Sequence, residues 1–310
     1  MTQYKPLSEN TDSTLVSEYT PVANKSDSYQ SEAELEQEFI KMLTEQGYQY
    51  LQIHKEKDLI DNLRTQIERL NKYTFSDNEW KTFWDKYVAN KNEGIVEKTK
   101  TIQEDHIKSM TMDDGLTKNI MLLDKENIFN NSLQVINQYE NAGKYDNRYD
   151  VTILVNGLPL VHIELKKRGV ALKEAFNQID RYQRDSFWAN SGLYEYVQIF
   201  VISNGTTTKY YSNTTRFSAI NGKNKKTSNS FEFTSYWADE KNKVIPDLVD
   251  FTLTFFYKPT LLNLIFKYCV FTSEQMLLAM RPYQIAACEK ILNRLKIADN
   301  YKYYGSIKGG

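Results

Sequence analysis

Three charged residues near the middle of the chain have types and spacing suited to chemistry on a phosphate ester. Asp150 lies in one β-type run, RYDVTILV, and Glu164 and Lys166 lie in a second, LPLVHIELK. Two neighbouring carboxylates can share Mg²⁺, a hard cation that takes a few protein oxygens and keeps waters for substrate phosphates. Such an ion lowers the pKa of a bound water, and a nearby lysine orients that water or stabilises developing charge. The triplet predicts a metal-dependent hydrolytic site with Asp150 and Glu164 as metal ligands.

The geometry of the turn between the two runs decides whether the three side chains meet. The runs flank Asn156-Gly157, a pair typical of tight β-hairpins, and alternation places Glu164 and Lys166 on one face. A two-residue turn would pair Asp150 with Ile163 and direct its carboxylate into the apolar face, where an unpaired charge is costly. A three-residue loop, with or without a bulge, sets Asp150 opposite or diagonal to Glu164, about 5 to 8 Å apart. We therefore predict an odd-length loop.

A D…ExK pattern with free spacing is common, and strand carboxylates beside a lysine are often solvated cross-strand pairs. The helix predicted over about 170 to 185 favours a site, because Gln178 and Tyr182 lie four residues apart on a stripe that includes Ala171 and Ala175. His162 lies on the same face as Glu164, where a hydrogen-bonded strand histidine is favoured over a phosphate contact.

Composition is that of a globular protein without a global electrostatic field. The chain has 310 residues, with 39 basic and 40 acidic side chains, so any contact with nucleic acid must come from local patches. Cys269 and Cys288 lack CxxC spacing and are predicted to be buried free thiols. The apolar stretch 248–271 is interrupted by charged residues and is predicted to form two core helices. With no signal peptide apparent, a cytoplasmic location and no membrane contact are expected.

Helices dominate the first hundred residues and short strands follow. Residues 1–28 are polar and are predicted to form a flexible arm. Capping boxes at Ser31 and Ser76 begin two helices, with a third at 58–71 between them. The helix after Ser76 carries an aromatic stripe that we assign to the core: Trp80, Phe83, Trp84 and Tyr87. The predicted strands are 120–123, 133–139, 149–155, 160–166, 197–202 and 209–211.

The central run YDVTILVNGLPLVHIELKKRG, followed by KEAFNQIDRYQ, resembles the nuclease domain of the restriction, or translocating, subunit of type I restriction-modification enzymes. In that family Asp, Glu and Lys form a PD-(D/E)xK site, followed by a Q-x-x-x-Y motif. The positions that match the catalytic residues and the helix motif are Asp150, Glu164, Lys166, Gln178 and Tyr182. A tyrosine stands where the family often has the Pro before the Asp.

The resemblance continues on both sides of this run. Upstream, SYQSEAELEQEFI resembles the opening helix of the family, which often contributes a Glu to the site; Glu32 and Glu36 are both candidates, and Glu36 is preferred. Downstream, LLAMRPYQIAACEKI resembles the adenine-recognising Q-motif of a superfamily 2 translocase, although an ordinary helix start with Pro in its first turn is the alternative. The residues that carry this match are Arg281, Pro282, Tyr283 and Gln284.

The resemblance implies an α/β fold: a PD-(D/E)xK restriction-endonuclease-like mixed sheet flanked by helices over 29–235, then linker helices and the truncated start of a RecA-like translocase domain over 236–310. It also implies cleavage of double-stranded DNA with Mg²⁺, or alternatively Mn²⁺, beside modification and specificity subunits. No G-x-x-x-x-G-K-[ST] loop occurs, so ATP is expected only in the full-length protein, which would translocate DNA. The rivals are a catalytically silent nuclease-fold module for DNA or subunit docking, and an assembly scaffold.

Overall fold

A computed structural model describes residues 5–6, 16–18, 20–21, 30–142, 146–213 and 231–303. The strands of this part are β1 (Lys5–Pro6), β2 (Val16–Glu18), β3 (Gln49–Tyr50), β4 (Ile107–Thr111), β5 (Thr117–Met121), β6 (Leu133–Ala142), β7 (Asp146–Val155), β8 (Leu158–Leu165), β9 (Ile199–Ser203), β10 (Thr208–Ser212), β11 (Cys269–Phe271) and β12 (Leu277–Ala279). The α-helices are α1 (Glu32–Glu45), α2 (Glu56–Asn71), α3 (Asp77–Phe83), α4 (Ile95–Gln103), α5 (Leu172–Asp185), α6 (Leu248–Phe255), α7 (Lys258–Phe266) and α8 (Pro282–Tyr303).

Six of the strands form one mixed sheet, in the order β10-β9-β8-β7-β6-β3. The β8/β9 and β6/β3 pairs are parallel, and the other neighbours are antiparallel. Every residue of β8 is buried, because α5 packs on β8 and β9 while α1 packs on β8 and α6. The predicted mixed sheet flanked by helices is thereby confirmed, and β8 lies at its centre.

Local signals account for the helices that border the site. Ser31 and Ser76 each accept from the third residue of their helix, and Glu34 and Glu79 return the bond, so both predicted capping boxes are present. The stripe of α1 that includes Phe39 is buried, and the Phe39 ring lies 5.3 Å from the Phe256 ring at the end of α6. These contacts fix α1 above the sheet.

Several sequence predictions need correction. The second helix of the 248–271 stretch ends at Phe266, and Cys269–Phe271 form a strand instead. The strands β3 and β4 were not predicted, and neither was the β1/β2 ladder within the segment assigned to a flexible arm. The rest of that arm, apart from 20–21, lies outside the described residues. The same holds for residues 221–229, NGKNKKTSN, whose composition predicts a basic exposed loop. Cys269 is buried as expected, whereas Cys288 is only partly buried.

The aromatic stripe at Trp80 behaves as core, as predicted: Phe83 is fully buried and its ring stacks near the rings of Phe75 and Trp80. Within the described ranges, no helix combines the length and the apolar character needed to span a bilayer.

Candidate active site

The turn between β7 and β8 has two residues, so the predicted odd-length loop is wrong. Val155 pairs with Leu158, and Asn156 and Gly157 adopt φ values of +50° and +82°, which suit a tight hairpin turn. The register then shifts by one residue: Leu154 pairs with Pro159, whereas Ile153 pairs with Val161. A β-bulge therefore produces the one-residue shift in register that the longer loop was expected to produce.

Leu160 is the extra residue of this bulge, and its carbonyl accepts from the backbone N–H of Gln198 at 2.8 Å. Beyond it, Val151 pairs with Ile163, and the next residues along the strands, Asp150 and Glu164, lie opposite each other. The predicted opposition of the two carboxylates is confirmed, although it has a different origin.

Asp150 is tied to the strand segment that carries the other two residues. Its Oδ2 accepts a hydrogen bond of 2.9 Å from the backbone N–H of Leu165. Lys166 in turn donates from its backbone N–H to Ser203 O at 2.8 Å, which anchors the end of β8 to β9. Strand pairing on both sides therefore fixes the three side chains relative to one another.

The lysine and the glutamate form an ion pair within the site. Lys166 Nζ lies 2.8 Å from Glu164 Oε1 and donates also to Leu165 O at 3.1 Å. Glu164 is fully buried and Lys166 is partly buried, so the pair is poorly screened by solvent. The sequence prediction that the two residues share a face is confirmed.

The site has two buried carboxyl groups and a single lysine, so negative charge is only partly balanced. Burial, followed by the charge of Glu164, raises the pKa of Asp150 to about 7. Burial also raises the pKa of Glu164 to about 7, although Lys166 opposes this. Burial disfavours the ammonium of Lys166, but the Glu164 and Asp150 carboxylates outweigh that effect and raise its pKa. Adding a cation would let both carboxylates ionise.

His162 lies behind Glu164 in a ring of aromatic side chains. It is fully buried, and its Nε2 lies 3.6 Å from Glu164 Oε2. Neither of these two atoms has a hydrogen-bond partner among the described residues, whereas His162 Nδ1 lies 3.4 Å from Thr152 Oγ1. Burial lowers the pKa of His162 to about 4, so the ring is neutral. His162 is therefore shielded from solvent by the aromatic side chains around it.

Gln178 and Tyr182 meet on α5, as predicted, but they bond to each other and to a backbone carbonyl rather than to the charged triplet. Gln178 Nε2 donates to the Tyr182 hydroxyl at 2.5 Å, and the hydroxyl donates to Arg148 O at 2.9 Å. This carbonyl lies two residues before Asp150. Tyr182 therefore secures the part of β7 that carries the aspartate.

The two glutamates proposed from α1 have different surroundings, because Glu32 is exposed and Glu36 is buried. Glu32 Oε1 accepts from the Lys167 backbone at 3.3 Å, and Glu36 is bonded by two amides that the sequence reasoning missed, those of Asn137 and Gln138. Burial raises the pKa of Glu36, the two amides lower it, and Asp150 raises it further. The Asp150 carboxylate is thus near enough to Glu36 to affect its pKa electrostatically. In the sequence, these contacts could have been suspected only from the Asn-Gln pair inside a β-type run.

The four residues of the proposed Q-motif lie elsewhere. Pro282 begins α8, and the backbone N–H of Arg281 donates to Gln284 Oε1 at 2.9 Å. Tyr283 is half exposed and, with Arg281 and Gln284, borders a cavity of about 400 Å³ that β10 and β12 also line. This cavity is distinct from the Asp150 site.

The donor set suits a hard divalent cation with open coordination positions. In the described ranges no three His, Cys, Asp or Glu side chains are grouped as a complete metal site. Asp150 and Glu164 nevertheless face each other, and Glu164 Oε2 is a buried oxygen without a hydrogen-bond partner. Two carboxylates that leave positions for water and substrate phosphate are the arrangement that Mg²⁺ prefers over a closed cage.

Comparison with known proteins identifies a family for the part of the chain that carries this site. Residues 29–219 match the family described as Type I restriction enzyme R protein N terminus, and this range contains the whole site. The chain belongs to this family. Relatives named as type I restriction enzyme endonuclease subunits extend the match beyond it.

The Escherichia coli EcoprrI endonuclease subunit is 50% identical over 293 residues, which are 94% of this chain and 91% of that protein. The Staphylococcus saprophyticus SsaAORF53P subunit is 35% identical over 287 residues, 91% of this chain but 29% of that protein. The Staphylococcus aureus SauMSSORF170P subunit is 34% identical over the same shares of both chains. This chain therefore spans most of the E. coli relative and under a third of the staphylococcal ones.

Proposed function

We propose that this chain is the Mg²⁺-dependent endonuclease module of a type I restriction enzyme, and that it hydrolyses phosphodiester bonds of double-stranded DNA. The observation that carries the proposal is the bulge at Leu160, which brings Asp150 opposite Glu164 while Lys166 stays on the same face. Membership of the R protein family supports it independently.

Asp150 and Glu164 would hold the cation, which supplies charge to polarise the scissile phosphate and to acidify a bound water. Lys166 is placed to donate to a phosphate oxygen, because its ammonium lies at the edge of the site and is only partly buried. Leu165 N–H keeps the Asp150 carboxylate turned toward Glu164, and Tyr182 holds the strand that precedes it. These bonds preorganise the site before substrate arrives.

The proposal also covers ATP-driven translocation and the partner subunits of the full-length enzyme. The staphylococcal relatives continue far beyond the region matched here, so ATP-driven translocation is assigned to the remainder of a longer subunit. Modification and specificity subunits are the expected partners, and the specificity subunit would supply the DNA target. The cavity beside Tyr283 and Gln284 is the expected start of the ATP site. In the full-length subunit, Gln284→Ala should lower ATP affinity and leave metal binding at Asp150 unchanged.

A plasmid assay tests the proposed activity. The chain is incubated with supercoiled plasmid and Mg²⁺ or Mn²⁺, with EDTA, and as the variant Glu164→Gln. A matched control is Glu45→Gln, which changes an exposed glutamate at the end of α1. Nicking that needs metal, is lost in Glu164→Gln and persists in Glu45→Gln supports the proposal. Nicking that survives in EDTA or in Glu164→Gln overturns it. A parent chain that does not nick with either metal leaves a docking module as the better assignment.

A further inference from the structure

Both oxygens of the Glu36 carboxylate are held by amides from a single strand. Asn137 Nδ2 donates to Oε1 at 2.6 Å, and Gln138 Nε2 donates to Oε2. Glu36 itself comes from α1 and is 7% exposed. The two amides of the sheet therefore replace water as hydrogen-bond donors to this carboxyl group. Burial raises the pKa of Glu36, whereas the donors on both oxygens oppose that rise and fix the orientation of the carboxyl group.

The backbone at Gln138 is unusual in a way that serves this contact. In the β6/β7 register Asn137 pairs with Val151 and Tyr139 with Tyr149, which places Gln138 across from Asp150. Gln138 has a φ of +52°, a left-handed conformation that is unfavourable for a residue with a side chain. Such conformations persist where the surrounding structure imposes them, and they cluster at functional sites.

The neighbouring edge segment, residues 50–54, imposes this conformation. Leu51 N–H donates to Val135 O before the kink, and Glu140 N–H donates to His54 O after it. The kink at Gln138 is therefore enclosed by hydrogen bonds on both sides.

The same segment also holds the two residues that grip Glu36. The Tyr50 hydroxyl donates to Asn137 Oδ1 at 2.9 Å, which turns the NH₂ group of Asn137 toward Glu36. His54 Nδ1 lies 3.3 Å from the Gln138 carbonyl. Asn137 and Gln138 thus each contact the segment 50–54 on one side and the Glu36 carboxylate on the other.

We propose that Asn137 and Gln138 are positioning residues that hold Glu36 beside Asp150, where the Glu36 carboxylate accepts a hydrogen bond from a water bound to the cation. The inference rests on the proposed function, because it requires a cation at Asp150 and Glu164. Glu36 acts through water because each of its carboxylate oxygens already accepts a hydrogen bond from an amide of β6. Removing such an outer partner typically weakens metal binding about 10- to 100-fold.

The test measures Mn²⁺ affinity by calorimetry, independently of cleavage, for the whole chain and four variants. Gln138→Gly removes the amide but tolerates the left-handed φ, so it should raise the Mn²⁺ dissociation constant about tenfold without lowering the unfolding temperature of the metal-free protein. Glu36→Gln should cause a similar loss. The double variant should lose no more than the larger single effect, because Gln138 acts through Glu36.

The fourth variant, Gln134→Ala, is the control. Gln134 is a buried amide on the same strand that bonds to Asn62 and Gln49, so its loss should lower stability and leave Mn²⁺ affinity unchanged. Unchanged affinity in Gln138→Gly, or losses that add in the double variant, would overturn the inference alone. A parent chain that binds no Mn²⁺ would overturn the proposed function together with it.

Discussion

The backbone N–H of Leu165 donates to Asp150 Oδ2 at 2.9 Å, and Leu165 is the residue between Glu164 and Lys166. One bond therefore couples the aspartate of β7 to the strand segment that presents the other two charged groups. It depends on register, because only the bulge at Leu160 places the aspartate next to that segment. The hairpin, rather than any single side chain, is the element that builds the site.

The turn of that hairpin leaves no room for a side chain at Gly157. A Cβ there would lie 2.6 Å from Leu63 Cα on α2, and φ is +82°. We expect Gly157→Ala to lower the free energy of unfolding by more than about 2 kcal/mol, since left-handed strain and a backbone clash add. Denaturant unfolding measures this.

Gly115→Ala is the matched control, because Gly115 has a φ of +79° but nothing within 4 Å of the added Cβ. It should cost only the left-handed strain, about 1 kcal/mol. Equal losses in the two variants would show that the approach of α2 to the turn does not constrain the hairpin.

Lys166 should be needed for cleavage and dispensable for metal binding. Lys166→Ala removes the ammonium that lies 2.8 Å from Glu164 but leaves both carboxylates. We expect plasmid nicking to fall at least about 100-fold, as when a group that stabilises transition-state charge is removed, with Mn²⁺ affinity maintained or increased. Lys41→Ala, at an exposed lysine of α1, is the control and should nick as the parent does. Parent-like nicking by Lys166→Ala would contradict the assigned role.

The metal-free protein should lose stability as pH rises through neutrality. Burial raises the folded-state pKa of Glu164 from 4.5 to about 7, and that of Asp150 also to about 7. A carboxyl group with a raised folded-state pKa contributes stability that is complete below its unfolded pKa and is lost as pH rises through the folded value. Between pH 5.5 and 8.5 in EDTA, the melting temperature of the parent should therefore drop, and Glu164→Gln should drop less.

Glu45→Gln again serves as a control, because this exposed carboxyl should leave the drop unchanged. Saturating Mg²⁺ should reduce the drop in the parent, since the cation favours the ionised carboxylates. A melting temperature that falls equally in the parent and in Glu164→Gln would argue against a charge held at this position.

The Tyr182 hydroxyl should matter for metal binding through the strand it holds. Tyr182→Phe removes the donor to Arg148 O and should cost roughly 1 kcal/mol of stability. It should also weaken Mn²⁺ binding, because the segment before Asp150 loses an anchor. Tyr196→Phe removes a comparable 2.9 Å bond to Val88 O and should lower stability only. Mn²⁺ affinities that match in the two variants would exclude a positioning role for Tyr182.

Sequence alone predicted which residues share the charged face of β8, because strand alternation is a local property. Glu164 and Lys166 share a side for that reason, and the Asn156-Gly157 pair marked the turn correctly. The bulge at Leu160 was not predictable, because its carbonyl is satisfied by Gln198, a residue 38 positions away on the approach to β9. The cost of burying an unpaired carboxylate nevertheless identified the correct outcome for Asp150.

The contacts of Glu36 with Asn137 and Gln138 could not be predicted from sequence for a related reason. A left-handed glutamine inside a β-type run carries no local signal, and Gln138 adopts it only where the segment 50–54 bonds on either side. The short edge strand that leads into this segment, Gln49–Tyr50, was itself missed, since two residues show no periodicity. Distant pairing, which sequence patterns do not encode, created both features.

The most direct test of the shared metal site is calorimetric titration of Mg²⁺ and Mn²⁺ into the chain and into Asp150→Asn, with plasmid nicking measured on the same samples. The asparagine keeps an oxygen for the Leu165 N–H, so the strand contact survives while the charge is removed. Loss of metal binding and of nicking together in the variant is the expected result. Metal binding and nicking that are the same in the parent and in Asp150→Asn would contradict the account.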